Sequence, residues 1–486
     1  MSQKQAQTSR GVRMFMLAVG LIAALLIGGP PVDAQVNRPV LFSSAGAAQP
    51  DILKADAAHV ARSRYVHVNR NRLFDANGRP RDAASLPEIT LNLFDDATFT
   101  GVVKSAKTDG WGTTWQGRLK NHADGYFYLT AVEDGFIAHV ASPQGVYEVS
   151  SAGKGVYKAV KIDQSKFADH PPHVEYDPPG ELLPMDSPGD LADSASRIDI
   201  MVVYTAAARA AEGSTAAMKA RIKLAVDQTN TSYSRSGVTT RLRLVHVEQV
   251  TYAETGSLEI ALNDLKGTSD GKMDIVHSRR NTYGADMVSL IVERADACGL
   301  SADIMATASN AFQVTARNCM TGNYSFGHEF GHLQGARHDV YVDPTTTPYA
   351  YGHGYVHPKT TDPTKRWRTI MAYNNQCTAW GYNCQRLLYW SNPVRYYTKD
   401  PMGNTQSKNY LVLNNTDYTV ANFRTQKISS DFSSSFNTSS SGWSAVNGTW
   451  QLYSSAYYGS TGRANLFASA VRSGTYGDLT YEVRMR

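Results

Sequence analysis

Cysteine is scarce in this chain of 486 residues: there are four, and no two of them form a C-x-x-C pair. Structural zinc ribbons use such pairs, so none is expected here. Charge is only slightly biased, with a net value of +5 and no basic run that could follow a phosphate backbone, which predicts no nucleic-acid partner. After the N-terminal region no apolar stretch is long enough to span a bilayer, so we expect no stable membrane anchor.

The sequence does contain one dense cluster of histidines, in GHEFGHLQGARHD at residues 327–339. On a helix, His328 and His332 lie one turn apart on one face, so both imidazoles can bind a single metal ion. Gly335 can adopt a positive φ, so the helix can end there and the chain can bring His338 to the same ion. The stretch therefore predicts a metal site with three histidine ligands.

Three imidazoles with a fourth position open are typical of catalytic zinc, so we expect one zinc ion, while no motif bears on calcium. Glu329 follows the first ligand but is rotated off the ligand face, which favours a role as general base over a role as ligand. The fixed glycine and third histidine argue against an amphipathic helix with surface histidines. A structural zinc site is also disfavoured, because such sites fill the fourth position with Cys or His.

The same motif, followed by TIMAY at residues 369–373, resembles the metzincin zinc endopeptidases, in which a Met-turn follows the histidines. The sequences YAYGHGY at 349–355 and SNP at 391–393 are similar to the bacterial peptidyl-Asp metallopeptidases, and this similarity covers residues 195–425. The resemblance implies hydrolysis of protein or peptide substrates on the amino side of aspartate. It also implies that Met371 lies beneath the metal without binding it.

Two residues near the motif resemble different metzincin subgroups. Tyr373 follows the methionine by two positions, as in astacins and serralysins, where the resemblance implies a tyrosine that stabilises the oxyanion. A packing role is the alternative. Asp339, directly after the third histidine, instead resembles the adamalysins, so the subgroup marks conflict.

A pocket for an aspartate side chain needs a cation, ideally the planar fork of arginine. The segment after the Met-turn offers Arg386 and Arg395, and Arg366 and Arg368 lie just before the turn. We favour Arg395 as the substrate-binding residue. For each of the four, the alternative is a solvated surface arginine.

The catalytic domain is expected at residues 196–427. Strands and helices alternate in the order β-α-β-α-β, over residues 197–204, 206–233, 241–250, 258–265 and 287–293. This order predicts an α/β (α+β) metzincin-like fold, with a mostly parallel sheet and the zinc helix at 323–333 beneath the sheet edge. Residues 335–422 are rich in Gly, Pro, Tyr and Asn and predict irregular loops.

The N-terminal residues 1–34 are typical of a signal peptide and predict a secreted protein. Three basic residues precede an apolar run at 14–27, and small residues allow cleavage near Ala34. An uncleaved membrane anchor is the alternative, but the run is shorter than a bilayer requires.

Residues 35–195 are interpreted as a propeptide that inhibits the enzyme until export. Alternating segments predict an all-β unit with strands at 88–94, 98–104, 114–120, 125–132, 135–140, 146–149 and 156–162. A Pro-rich linker follows, which is typical of an extended, easily cut segment. Because this region has no cysteine, a thiolate cannot block the metal, and Asp169, His170 or His173 become candidates. A permanent accessory β domain is the alternative.

The four cysteines all lie in the catalytic domain and allow three pairings. We favour the two local disulfides, Cys298–Cys319 and Cys377–Cys384. Free thiols in a cytosolic protein are the alternative, which the signal peptide argues against. His353 and His357 are followed by proline and separated by glycine, so they are interpreted as loop or packing residues.

Residues 428–442 form a serine-rich linker, and residues 443–486 predict strands of a partial β-sandwich-like segment. Taken together, the sequence predicts a secreted, monomeric zinc endopeptidase. A metzincin protease of different specificity is one alternative. An exported surface-binding protein with a vestigial metal site is another, which the intact Glu329 and three histidines argue against.

Overall fold

The computed structural model describes residues 40–46, 56–168 and 197–427, and the backbone of four short strands between residues 443 and 472. The predicted signal peptide, both linkers and the predicted strand at 479–485 lie outside the described residues. So do Asp169, His170 and His173. Within the described ranges, no helix combines the length and the apolar character needed to cross a membrane.

The N-terminal part is one nine-stranded sheet in the order β1-β2-β9-β8-β7-β6-β5-β4-β3. Its strands are β1 (Phe42–Ser44), β2 (Val60–Val68), β3 (Glu88–Phe94), β4 (Ala97–Asp109), β5 (Gly112–Leu119), β6 (Tyr126–Val132), β7 (Gly135–Ser142), β8 (Gly145–Gly153) and β9 (Val156–Ile162). Seven of them were predicted, and β1 and β2 were missed. The sheet curls until its first and last strands meet, where the Leu41 amide donates to the Thr90 carbonyl over 3.2 Å.

Side chains alternate between the two faces of this sheet, as a pleated strand requires. On β6, Phe127 and Leu129 point to a core inside the sheet together with Trp115. Tyr126 and Tyr128, on the other face, belong to a core shared with the C-terminal part. Both faces of β6 are therefore buried, in agreement with the burial of every residue of this strand.

The C-terminal part is built on a five-stranded sheet in the order β11-β10-β12-β14-β13. Its strands are β10 (Arg197–Thr205), β11 (Arg241–Val250), β12 (Met287–Val292), β13 (Gly299–Ser301) and β14 (Phe312–Ala316). The first four in this order pair in parallel, and the edge strand β13 is antiparallel to β14. The helices are α1 (Ala206–Glu212), α2 (Thr215–Ser236), α3 (Leu258–Lys266), α4 (Ile275–Tyr283) and α5 (Ser325–Leu333).

One helix expected at residues 206–233 is two. Gly213 adopts a φ of 97° and ends α1, and the Ser214 side chain then accepts a hydrogen bond from the Ala217 amide and begins α2. A left-handed glycine followed by a serine cap is a strong stop-and-start signal that overrides the helical spacing around it.

Residues 335–427 are more regular than predicted. They include α6 (Asn375–Ala379), α7 (Asn409–Val420) and two-stranded pairs formed by β15 (Trp367–Arg368) with β16 (Gln385–Arg386) and by β17 (Asn392–Tyr397) with β18 (Asp400–Met402). The expectation of loops alone was wrong at α7, whose Leu413 and Val420 pack into the main core. Beyond this part, β19 (Trp443–Asn447) pairs with β22 (Ser469–Arg472), and β20 (Thr449–Tyr453) with β21 (Ala456–Ser460).

The N-terminal sheet docks on α2. Tyr126, Tyr128 and Ile137 share a core with Met218 and Ile222 of this helix. The fit is close: a Cβ built on Gly135 would overlap the Ala216 backbone, and would lie 2.6 Å from the Ala217 amide nitrogen. Helix α5 packs against α2 and also against β13 and β14, and thus lies at the sheet edge.

Candidate metal centre

The three predicted histidines meet at one point. His328 and His332 are on α5, and Gly335, with a φ of 97°, turns the chain so that His338 returns to them. Their Nε2 atoms are 3.1 Å (His328–His332), 3.1 Å (His328–His338) and 2.9 Å (His332–His338) apart. Within the described residues, the group of three or more His, Cys, Asp or Glu side chains that could share one metal ion consists of these three histidines.

The hydrogen bonds of the rings show that the donor set fits a cation. The Nδ1 atom of His328 lies 3.0 Å from the Ile370 carbonyl, and that of His332 lies 2.9 Å from the Ala336 carbonyl. A carbonyl only accepts, so each Nδ1 carries the proton and each Nε2 presents a lone pair to the centre. Lone pairs at this spacing repel unless a cation lies between them. Tetrahedral zinc with bonds of about 2.0–2.1 Å places its ligands ~3.3 Å apart, which is close to the observed separations.

Glu329 directly follows His328 on α5 and is buried. Its Oε2 accepts a hydrogen bond of 2.7 Å from the Ser301 hydroxyl. Burial raises the pKa of Glu329 to about 8, while the Ser301 hydrogen bond and the positive charge of Arg386 act in the opposite direction. A divalent cation nearby would act in the same direction as Ser301 and Arg386: it would lower this pKa and favour the carboxylate. Sequence reasoning missed Ser301, because it lies on β13, 28 residues before Glu329.

The Met-turn lies against α5. Met371 is fully buried, and its Sδ is 3.1 Å from the position that a Cβ on Gly331 would take. The Trp390 ring is 2.5 Å from the same position. Glycine at 331 thus allows the methionine and the indole to approach the helix closely, and the Ile370 carbonyl of this turn is the partner of His328.

Tyr373 is next to the third histidine. The Tyr373 and His338 ring centroids are 4.1 Å apart, and the Tyr373 amide donates to the Asp339 carboxylate over 2.8 Å. Asp339, noted in the sequence only as a subgroup mark, therefore ties the segment of the third ligand to the Met-turn. His353 adds a second tie, because its Nδ1 is 2.9 Å from the His338 carbonyl.

The candidate arginines lie in different environments. Arg395 is exposed on β17, next to Gly237 at the end of α2. Arg368 and Arg386 are buried, and both donate to the Ala372 carbonyl of the Met-turn, over 2.5 Å and 3.2 Å. Arg366 is half-buried, with its guanidinium 4.4 Å from the centre of the Tyr382 ring. The sequence did not reveal that two of these arginines hold the Met-turn.

Both predicted disulfides are present. Cys298–Cys319 links the segment before β13 to the segment before α5, and Cys377–Cys384 closes the loop after the Met-turn. His357 is outside the triad, and its Nε2 lies 3.1 Å from the Asp400 carboxylate.

Comparison with protein families agrees with this geometry. A family model described as metallo-peptidase family M12 matches residues 194–391, the segment that contains all three histidines and the Met-turn. The family implies a zinc ion, and the histidine triad fits one. The chain is thus of the zinc metallopeptidase class.

Two relatives are named peptidyl-Asp metalloendopeptidase. One, from Xanthomonas campestris pv. campestris, is 33% identical over 434 residues, which are 84% of this chain and 98% of that protein. The other, from Stenotrophomonas maltophilia (strain K279a), is 43% identical over 271 residues, which are 54% of this chain. The chain spans 63% of the length of this second relative. The chain belongs to the peptidyl-Asp metalloendopeptidase family, and the family resemblance stated from the sequence is confirmed.

Similarity to solved structures is weaker. Metalloproteinase-II from Bacteroides fragilis is 12% identical, with a TM-score of 0.30 over 52% of this chain and 81% of that one.

Proposed function

We propose that this chain is a secreted zinc endopeptidase that cleaves on the amino side of aspartate and is kept inactive by its N-terminal sheet. The observation that supports the activity best is the convergence of three Nε2 atoms within 3.1 Å of one another, with the buried Glu329 next to His328 on the same helix. The family names of the relatives support the aspartate preference.

Bound at this site, zinc would supply Lewis-acid chemistry that polarises a carbonyl and makes water more acidic. His328, His332 and His338 would hold it. Glu329 then acts as the general base: its carboxylate takes a proton from the attacking water and passes it to the leaving amine. Tyr373 is proposed to donate its hydroxyl hydrogen to the developing oxyanion, which its ring position beside His338 supports.

The base assignment is tested with Glu329→Gln. The amide keeps the shape of the side chain but cannot accept the proton, so we expect hydrolysis to be lost while the protein binds one zinc ion per chain as before. Zinc content by atomic absorption and cleavage of a peptide substrate give the two readouts. Hydrolysis at the parental rate by the zinc-loaded variant would contradict the proposal.

We assign recognition of the substrate carboxylate to Arg395. Arg395 is an exposed residue, whereas the guanidinium groups of Arg368 and Arg386 are buried against main-chain carbonyls. Arg395→Ala should therefore lower the share of cleavages before aspartate, and Arg395→Lys should restore part of it. Sequencing of new N-termini in a protein digest measures this share. Arg366→Ala is the matched control, and an unchanged preference in Arg395→Ala would assign recognition to another cation.

The inhibitory role of the N-terminal sheet is supported by its contacts with the start of α5. The Tyr126 and Tyr324 hydroxyls are 2.8 Å apart, and Tyr324 directly precedes this helix. The Gln164 side chain donates to the Gly322 carbonyl over 3.0 Å and accepts from the Arg386 amide over 2.9 Å. The sheet and the turn that follows β9 thus contact the start of the zinc helix and the strand β16 after the Met-turn.

Latency is tested by comparing the intact chain with a chain cut in the linker and freed of the sheet. The intact chain should be inactive and the separated catalytic part active. Alanine variants of Asp169, His170 and His173 identify the blocking group, since the relevant one should activate the intact chain. Equal activity before and after separation would favour a permanent accessory domain. Export is tested by deleting residues 1–34, which should keep the protein inside the cell.

A further inference from the structure

We infer that the edge strand β13 positions the Glu329 carboxylate for catalysis through Ser301 and Gly299. This inference rests on the proposed function, in which Glu329 is the general base. Neither residue belongs to a recognised sequence motif, and it is the pairing of β13 in the sheet that places both next to Glu329. They are positioning residues, since they act on the reaction through Glu329.

Ser301 supplies a fixed hydrogen-bond donor. Its Oγ lies 2.7 Å from Oε2 of Glu329 and 2.8 Å from the main-chain carbonyl oxygen of the same residue. Ser301 is 1% exposed, so water does not compete for its hydroxyl. Of the two acceptors the carboxylate is the stronger, because hydrogen bonds to charged groups are shorter and stronger than neutral ones. The hydroxyl therefore holds one carboxylate oxygen and orients the other.

Gly299 provides the space for the same carboxylate. A Cβ built on this glycine would overlap Oε1 of Glu329 and would lie 2.7 Å from both its Cδ and its Cγ. Any larger residue at 299 would push the carboxylate out of its place. Strand β13 thus binds the carboxylate through the Ser301 hydroxyl. It also limits the position of the carboxylate through the main chain of Gly299, which has no side chain.

The strand itself is well anchored. Gly299 pairs with Thr315, and Ser301 with Gln313, on the neighbouring strand β14. Cys298 directly precedes the strand, and its disulfide to Cys319 links it to the segment before α5. A rigid support matters because a general base must be within hydrogen-bond reach of the proton that it accepts. A displacement of about 1 Å can reduce the rate on the order of 100-fold.

The test uses Ser301→Ala, Ser301→Thr and Gly299→Ala in the full-length chain, all processed identically and loaded with zinc. We expect kcat to fall about 10-fold in Ser301→Ala and on the order of 100-fold in Gly299→Ala, with KM within about 2-fold of the parent. Ser301→Thr retains the hydroxyl and should recover most of kcat. Zinc content should remain at one per chain in all three.

Ser289→Ala is the matched control. Ser289 is also fully buried in this sheet, and its Oγ accepts a hydrogen bond of 2.7 Å from Gln313, away from Glu329. Its loss should lower stability as Ser301→Ala does without lowering kcat. An equal kcat loss in this control would show a general effect of sheet damage and overturn the inference.

A second readout is independent of activity. Urea midpoints of Ser301→Ala, Glu329→Ala and the double variant form a cycle, and the two single effects should not add if the side chains interact. Additive effects, or parental kcat in both Ser301→Ala and Gly299→Ala, would overturn the inference. If Glu329→Gln itself stays active, the proposed function fails. If Glu329→Gln is inactive while the strand variants are fully active, only the role of β13 fails.

Discussion

Acidification should weaken this protein through His139, a histidine of β7 that is fully buried beneath α2 and α5. Its Nε2 is 3.3 Å from the Tyr324 hydroxyl, and its ring stacks near Tyr126. The carboxylate of Glu148, on the neighbouring strand, is already paired with Arg221. Burial, and then the positive charge of Arg221, lower the pKa of His139 from 6.5 to about 3.

The direction in which pH changes the free energy of unfolding follows from proton binding. In the unfolded chain the pKa of this imidazole returns to its ordinary value, so between about pH 6.5 and 3 the unfolded chain binds a proton that the folded chain does not. The stabilising contribution is complete above the unfolded pKa and is lost as the pH falls toward the folded one. Each pH unit below 6.5 costs about 1.4 kcal/mol, so at pH 5 the free energy of unfolding should be lower by about 2 kcal/mol from His139 alone.

Urea unfolding at pH 7 and pH 5 measures this loss. Glu329→Gln serves as the parent, because an inactive chain does not digest itself, and His139→Phe in that background replaces the imidazole with a ring that does not titrate. All other titrating groups are shared, so they cancel in the comparison. We expect the parent to lose about 2 kcal/mol more than His139→Phe on acidification. Equal losses in the two proteins would refute the reasoning.

Three further predictions concern the site. Gly331→Ala places a methyl group 2.5 Å from the Trp390 ring, so the free energy of unfolding should fall by about 1–3 kcal/mol and zinc affinity should weaken; an unchanged urea midpoint would contradict this. Asp339→Ala removes the acceptor of the Tyr373 amide and should cost about 1–3 kcal/mol, whereas Asp339→Asn, which keeps an acceptor oxygen, should recover most of it; equal effects would point to the charge instead. Zinc removal by a chelator should lower the thermal midpoint, since free zinc at about 1,000 times its dissociation constant stabilises a folded protein by ~4 kcal/mol; a coinciding midpoint would place the metal elsewhere.

The parts of this structure that the sequence predicted are those decided by short-range geometry. The helix period and a glycine turn suffice to bring His328, His332 and His338 together, because eleven residues span the whole motif. The same holds for strands such as β3 and β9, whose alternation and flanking turns match the structure residue for residue.

What the sequence could not predict depends on contacts between distant segments. Ser301 is 28 residues from Glu329, and Tyr126 is 198 residues from Tyr324. No local pattern marks either pair, since serine in a strand and tyrosine in a sheet are ordinary. Even α7 was missed for this reason: its helix is stabilised by packing of Leu413 into the main core rather than by its own sequence.

The buried charges between the N-terminal sheet and α2 bear on the proposal that the sheet is a removable propeptide. Arg221 of α2 is buried and pairs with Glu148 of the sheet over 2.8 Å, but it also pairs with Glu212 of the catalytic part over 2.7 Å. Lys223 is bound in the same way by one aspartate from each part, over 2.8 Å and 3.4 Å. Removing the only partner of a buried charge costs about 3–5 kcal/mol. Because each cation keeps an acid on its own side, separation of the sheet avoids this cost, as a removable propeptide requires. Glu148→Gln should therefore weaken docking of the sheet yet leave the separated catalytic part as stable as before, and a loss of stability in that part would contradict the argument.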